Sequence, residues 1–524
     1  MLTIQKIVLH NFKRFSDLEI DVNPQLNIFI GDNESGKSSI LQAIDLVARG
    51  SHTRVGNIGL DKLFNTQAIA TFMAGDKSLE NLPKMYVELY FADQFDNPTL
   101  EGQNNSKHKM CSGIRMRCLF DSTYGQILKQ LYTDNPNIPF PFEFYKVVFE
   151  TFSGQSFIAY TKKLYSLFID NSQLGNKLTM LDYVNTIYRS CLHETDRLRI
   201  KLAYRDGKKD FQDSVLSKYN AGIAPKQFAV KDGVENNIET DITIIEDGIP
   251  LENKGAGIQC FAKTQLSLNR YVSTIDVVLI EEPETHLSYM KTQELVKLIQ
   301  GTQNKQLFIS THNNLIATRL NLQNCFLLNS TSANVVTLSH LTDDTAKFFI
   351  KAPDHNMLQF ILSKKVILVE GDAEFILMDA FCHKTLGRDL ESSGIGVIAV
   401  DGKCFKRYLE IACLLGNKVA VITDNDRNYQ EHIIYNYSDY ISKQYDNLRI
   451  FADNDDDRYT FEVCVYNDNQ DICEKEFSSH RRRVGIVDYM MNNKSEVAYK
   501  LLCNQTDQIV VPSYIQEALK WIDA

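Results

Sequence analysis

The stretch LNIFIGDNESGKSSILQAIDLVARG, Leu26–Gly50, decides how the first half of the chain is read. An apolar, strand-like run enters a loop of small and polar residues, and a helical pattern follows. Within it Gly31–Ser39, GDNESGKSS, fits the spacing GxxxxGK[ST]. Gly31 and Gly36 permit a tight turn whose amides converge on phosphate oxygens at a helix N-terminus. In that chemistry Lys37 reaches the β and γ phosphates of a nucleotide such as ATP, Ser38 holds Mg²⁺, and Asn33 and Ser39 complete the loop.

Two later strand ends supply what such a loop lacks. IDVVLIEEPETHL, Ile275–Leu287, carries a buried-strand run that stops at Glu281 and Glu282. Ligands of open parallel sheets gather at the carboxyl ends of strands, so both acids are expected to face the nucleotide. Glu281 then supports the Mg²⁺ shell through water, and Glu282 orients or deprotonates the attacking water. The strand QLFIS delivers Thr311 and His312 to the same edge, near a γ-phosphate. KGAGIQCFAKTQLSL sets Gly255, Gly257 and Gln259 at the start of a helix. This resembles a loose form of the ABC signature sequence, whose helix caps the nucleotide of a second subunit and so implies at least a homodimer. Together these residues resemble the ABC-type ATPases of the SMC and RecF class, in which an insertion splits the cassette. The opening IQKIVLHNFKRF is similar to their N-termini.

The chain from 364 onward repeats the alternation of strand and helix. KKVILVEGDAEFILMDAF gives a strand, Glu370, and Glu374 in the first turn of a helix; GIGVIAV leads to Asp401 and Gly402; VAVITDNDRN, Val419–Asn428, ends a third strand with Asp424 and Asp426. The order βαβαβ predicts a parallel sheet with right-handed crossovers and these acids on one edge. Alternation along an extended segment puts Asp424 and Asp426 on the same side, where like charges repel unless a cation neutralises them.

This ordered set resembles the Toprim domain of topoisomerases, primases and certain nucleases. A split cassette followed by Toprim resembles the OLD (overcoming lysogenization defect) family of ATP-dependent nucleases, over the whole chain except 100–225. Three more stretches agree: EEPETHL with the family's acidic motif, Tyr459–Glu462 (YTFE) with its threonine–apolar–glutamate element, and Lys494–Leu502 (KSEVAYKLL) with its late lysine-bearing helix. The resemblance implies a metal site of Glu370, Glu374, Asp424, Asp426 and Glu462, with Lys494 as the cation that stabilises the pentavalent phosphate or the leaving group. It implies domains at 1–100 with 225–350 (ATPase), 100–225 (a largely helical insertion and dimerisation region) and 360–524 (Toprim).

The expected reading is an α/β protein, an ATP-regulated, Mg²⁺- or Mn²⁺-dependent DNA endonuclease or nickase of bacterial antiphage defence. Helicase, reverse-transcriptase or sensor partners go with that reading. A nucleotide-switched DNA clamp that does not cut is the alternative, and a topoisomerase-like enzyme would need an attacking tyrosine. Bulk numbers bound these readings. A net charge of -10 means that DNA must be held by local basic patches or metal ions, with His480–Arg483 and Arg197–Lys209 as candidates. Eleven cysteines without a CxxC pair fit a reducing cytoplasm, and no apolar run is long enough to span a membrane.

Overall fold

A computed structural model describes residues 2–92, 97–135, 137–171, 177–220, 223, 225–231, 237–269, 272, 274–328, 335–352, 356–400, 404–441, 445–477, 485–506 and 508–524. Asp401, Gly402 and the basic run His480–Arg483 lie outside these residues. The chain divides into two compact units, 1–320 with 324–335, and 321–323 with 336–524.

Strands of the first unit are β1 (Ile4–Phe12), β2 (Phe15–Asp21), β3 (Leu26–Gly31), β4 (Met85–Phe91), β5 (Glu101–Gly102), β6 (Cys111–Phe120), β7 (Tyr145–Thr151) and β8 (Ser166–Asp170). They continue as β9 (Ile245–Glu246), β10 (Ile249–Pro250), β11 (Val277–Glu281), β12 (Gln306–Ser310) and β13 (Cys325–Leu328), and β14 (Val335–Thr337) falls at the boundary. One sheet is antiparallel, ordered β2–β1–β4–β6–β5 with β7 beside β6. The other runs β13–β3–β12–β11–β8, every pair parallel. Its strands β3, β11 and β12 are buried almost throughout, which is why they read as unbroken apolar runs. Helix Lys37–Arg49 joins the two sheets: Ile40, Leu41, Ile44 and Val47 share one core with Ile7 and Leu9 of β1, Phe29 of β3 and Leu279 of β11.

The boundary expected at residue 100 is corrected by these sheets, because β5 to β8 between 101 and 170 belong to them. The strand β6 carries Arg115 and Arg117. Both pair with Glu150 on the neighbouring β7, Arg115 Nε at 2.9 Å and Arg117 Nε at 2.5 Å. The helical excursion is therefore confined to the segment between β8 and β9, with Lys177–Cys191 and Glu194–Phe211 as its long helices. On Lys177–Cys191, Tyr183, Val184 and Ile187 are buried and Cys191 is exposed.

The second unit holds β15 (Lys365–Val369), β16 (Ile395–Ala399), β17 (Lys418–Ile422) and β18 (Leu448–Phe451), all parallel and ordered β16–β15–β17–β18. Helix Asp372–Leu386 connects β15 to β16, and helix Phe405–Leu415 connects β16 to β17. The chain thus leaves β15 toward one side and returns on the other, so the carboxyl ends of β15 and β17 form the switch point where such sheets bind ligands. Leu377, Met378 and Phe381 pack with Ile367, Ala420, Ala518 and Ile522 beneath that edge. No helix among the described residues is long and apolar enough to cross a membrane.

Candidate functional site

In the first unit the carboxyl ends of β3, β12, β11 and β8 lie side by side. At the end of β3, Gly31 has φ +156°, and a Cβ there would stand 2.2 Å from Leu328 O. Gly36 has φ +98°, and its Cβ would meet Phe15 Cζ at 2.5 Å, so the loop fits against its neighbours only with glycine at both ends. Lys37, 6% exposed, folds its ammonium onto the loop, donating to Gly31 O at 2.9 Å and Asp32 O at 2.8 Å. Burial lowers its pKa, and Glu282, Asp32 and Glu281 pull it back up. Asn33 is exposed on the loop and Ser39 half-buried on the first turn of the helix.

Glu281 ends β11 in register with Ser310 of β12 and Asp170 of β8. Its Oε1 accepts the Ser38 hydroxyl, and burial raises its pKa. Glu282 adopts φ +43°, an uncommon left-handed backbone for a non-glycine residue. That turn aims its carboxylate toward His312, with Oε1 3.6 Å from His312 Nε2. Burial and the Lys37 charge lower the His312 pKa. Glu284, quoted in the sequence motif but given no role there, proves to tie the edge together. Its Oε1 accepts from Thr311 Oγ1 at 2.5 Å and from His312 N at 3.0 Å, and burial raises its pKa. Asn171 Nδ2 donates to Glu281 O at 3.1 Å; no sequence signal marked it.

The signature-like segment differs from expectation. Gly255 caps helix Ala256–Leu268 in open space, and a Cβ on Gly257 would stand 2.3 Å from His286 O. Gln259 is turned inward, 8% exposed, and donates to Glu252 O at 3.1 Å and Lys254 O at 2.8 Å. Its amide braces the preceding turn and is not presented for a nucleotide.

In the second unit Glu370 follows β15 and Asp424 follows β17. Thr423 Oγ1 donates to Glu370 Oε1 at 2.6 Å, and Asp424 N points at the same oxygen from 3.2 Å. Asp424 Oδ1 accepts Phe461 N at 2.8 Å. Glu374 and Glu462 stand in the first turns of helices Asp372–Leu386 and Phe461–Asp468, where the helix dipole favours anions. They are only 6% and 2% exposed. Lys494 Nζ lies 3.2 Å from Glu462 Oε1, and Glu462 Oε2 has no hydrogen-bond partner among the described residues. Burial, and then the charges of Glu462 and Glu370, push the Glu374 carboxyl up to about 7. Burial followed by Glu370, Glu374 and Glu462 raises Asp424 well above the usual carboxylate range. Four acids therefore act on one another across one edge, and Lys494 is the ammonium that acts on them among the described residues.

Asp426 is the exception. The strand stops at Ile422, and Asp426 has φ +49° and an exposed side chain, so strand alternation no longer governs where it points. Its charge is not among the largest that raise Asp424 or Glu374. Among the described residues, no three His, Cys, Asp or Glu side chains already stand as a ready metal-binding group. The donor set nonetheless suits a hard divalent cation: among the described residues the buried carboxylates outnumber Lys494, and a buried Glu462 oxygen has no hydrogen bond.

Comparison with known proteins adds the following. Over 57 residues the chain is 37% identical to the DNA replication and repair protein RecF of Colwellia psychrerythraea, a stretch that covers 11% of this chain and 15% of that one. An SMC head domain from Thermotoga maritima superposes with a TM-score of 0.30 at 15% identity, over 64% of this chain and 99% of that one. The C-terminal region of the Burkholderia pseudomallei OLD protein gives 0.24 at 21% identity, over 31% and 97%. Residues 2–173 match the AAA ATPase domain family, and residues 361–426 match the overcoming lysogenization defect protein-like TOPRIM domain. One polypeptide thus carries an AAA-type ATPase domain followed by an OLD-like Toprim domain, the ATPase–Toprim architecture of the OLD family.

Proposed function

We propose that the chain is an ATP-regulated, divalent-metal-dependent DNA endonuclease or nickase acting in bacterial antiphage defence. The observation that carries this reading is the group of Glu370, Glu374, Asp424 and Glu462 at the switch point of the second unit, with Lys494 beside them. These acids would hold the cation, which when bound activates water and neutralises charge on a leaving oxygen. Thr423 and Asp424 N fix the Glu370 carboxylate, and Phe461 N fixes Asp424. Lys494 supplies a positive charge for the scissile phosphate.

In the first unit Lys37, Ser38 and Glu281 bind the triphosphate, and Glu282, held by its left-handed turn, takes the proton of the attacking water with His312 at its side. A homodimer that closes over the nucleotide belongs to this proposal. DNA as the substrate is supported by the short likeness to a DNA replication and repair protein. The absence of a ready three-ligand group among the described residues favours a second reading, a nucleotide-switched clamp that binds DNA without cutting.

Supercoiled plasmid with Mg²⁺ or Mn²⁺, with and without ATP, separates the two. Wild type nicks or linearises it, Asp424→Ala does not, and Lys37→Ala changes only the nucleotide dependence. Retention of plasmid on the protein with no cut product in any condition supports the clamp and removes the nuclease.

A further inference from the structure

The basic run Arg197–Lys209, singled out in the sequence, leads to a second site in the first unit. A cavity of about 740 Å³ opens between the end of helix Lys37–Arg49, helix His52–Ile58, the connection from β7 to β8, and helices Lys177–Cys191 and Glu194–Phe211. Asp182, Glu194 and Glu239 line it together with six cations: Arg49, Arg54, Lys162, Arg189, Arg197 and Lys201. Four of them share three carboxylates. Arg49 bridges Asp45 at 2.7 Å and Asp182 at 2.8 Å, Arg54 reaches Asp45 at 2.7 Å, and Arg189 and Lys201 both hold Glu239, the latter at 2.9 Å.

Lys162 and Arg197 have no acidic partner within 4.0 Å among the described residues, and the Arg197 Nε is buried without a hydrogen bond. Lys162 instead stacks over Tyr165, 4.7 Å from the ring centroid. Burial and the like charges of Arg49 and Arg189 lower its pKa, so the walls repel one another as they stand. In a chain of net charge -10 such a concentration of unneutralised positive charge invites an anion.

We propose that this cavity is a second phosphate-binding site that takes a compact ligand bearing at least two phosphate groups. Guanidinium groups offer forked donors that match phosphate oxygens, and two clusters of cations on opposing helices suit two such groups. A volume of about 740 Å³, lined from five segments of the chain, is that of a small-molecule site. The site is distinct from the loop at Gly31–Ser39: Lys37 and Arg49 stand at opposite ends of one helix, roughly 18 Å apart at 1.5 Å per residue. It shares Arg49 and Arg54 with a smaller space that opens onto Ser38 and Glu281.

The test is calorimetric titration of inorganic tripolyphosphate into the full chain carrying Lys37→Ala, which disables the first phosphate site. A saturable site is expected to remain. Adding Lys162→Glu should weaken it by more than about tenfold, and Arg197→Ala by several-fold, since each removes a charge-assisted contact. Lys162→Arg should retain it. Neither Lys162 nor Arg197 holds a buried carboxylate, so an unchanged melting curve is the control for folding. Three results overturn the proposal: no residual binding, residual binding indifferent to Lys162→Glu, or a short single-stranded oligonucleotide that binds through Lys162 where tripolyphosphate does not.

Discussion

Replacing Glu374 by glutamine isolates the electrostatic strain in the second unit. The side chain is 6% exposed and its carboxyl titrates near about 7 against an ordinary 4.5. A pKa raised on folding means that the protonated form is the one the fold accommodates. The associated stability is fully present below about pH 4.5 and is lost as pH rises through about 7. The difference corresponds to about 3 kcal/mol by pH 8. Glutamine has the shape of the protonated acid and never ionises. In metal-free protein Glu374→Gln should therefore match wild type at about pH 4 and exceed it by up to about 3 kcal/mol at pH 8. Trp521 is the only tryptophan and lies in this unit, 5.9 Å from the Phe451 ring, so its fluorescence during urea unfolding reports the right transition. With a slope of about 2–3 kcal/mol/M, the midpoint should move up by roughly 1 M. Mg²⁺ should stabilise wild type more than the variant, because the ion does for four carboxylates what the substitution does for three. Parallel curves for the two proteins from pH 5 to pH 8, or a variant less stable at pH 8, would refute the reasoning.

Lys494→Met keeps the length of the side chain and removes the ammonium that pairs with Glu462, leaving a carboxylate that is 2% exposed without that partner. Unfolding reported by Trp521 should become easier by about 1–3 kcal/mol in EDTA, and a divalent ion should restore most of the loss. Gly257→Ala places a methyl 2.3 Å from a backbone oxygen, so helix Ala256–Leu268 must shift. A destabilisation of about 1–3 kcal/mol is expected, with weaker ATP-dependent self-association in sedimentation, and Gly255→Ala, which meets open space, should show neither effect.

The nucleotide edge was legible because parallel strands buried on both faces spell unbroken apolar runs, and the residue that ends each run sits at the ligand edge. Gly31, Glu281 and Thr311 could be placed in that way, as could Glu370 and Asp424. What escaped depends on conformation beyond the strand. Asp426 lies past a left-handed turn that no periodicity foretells, and Gln259 folds inward to two carbonyls a few residues away. The pairing of Arg115 and Arg117 with Glu150 of β7 likewise rests on strand register that spacing along the chain does not give. The tying role of Glu284 comes from two contacts, 27 and 28 positions along the chain, that sequence spacing cannot express.

The parallel sheet of the first unit also sets an order of events during synthesis. Ser38 and Glu281 meet across 243 positions, with β8 and β12 needed on either side of β11. At ribosomal speeds of about 5–20 residues per second, the phosphate loop emerges roughly 12–50 s before its acids. Through that interval β3 has neither lateral neighbour, because β12 and β13 follow it in the chain by hundreds of residues. The nascent protein therefore carries an unfinished, adhesive edge that invites chaperone attention and pairing between neighbouring nascent chains.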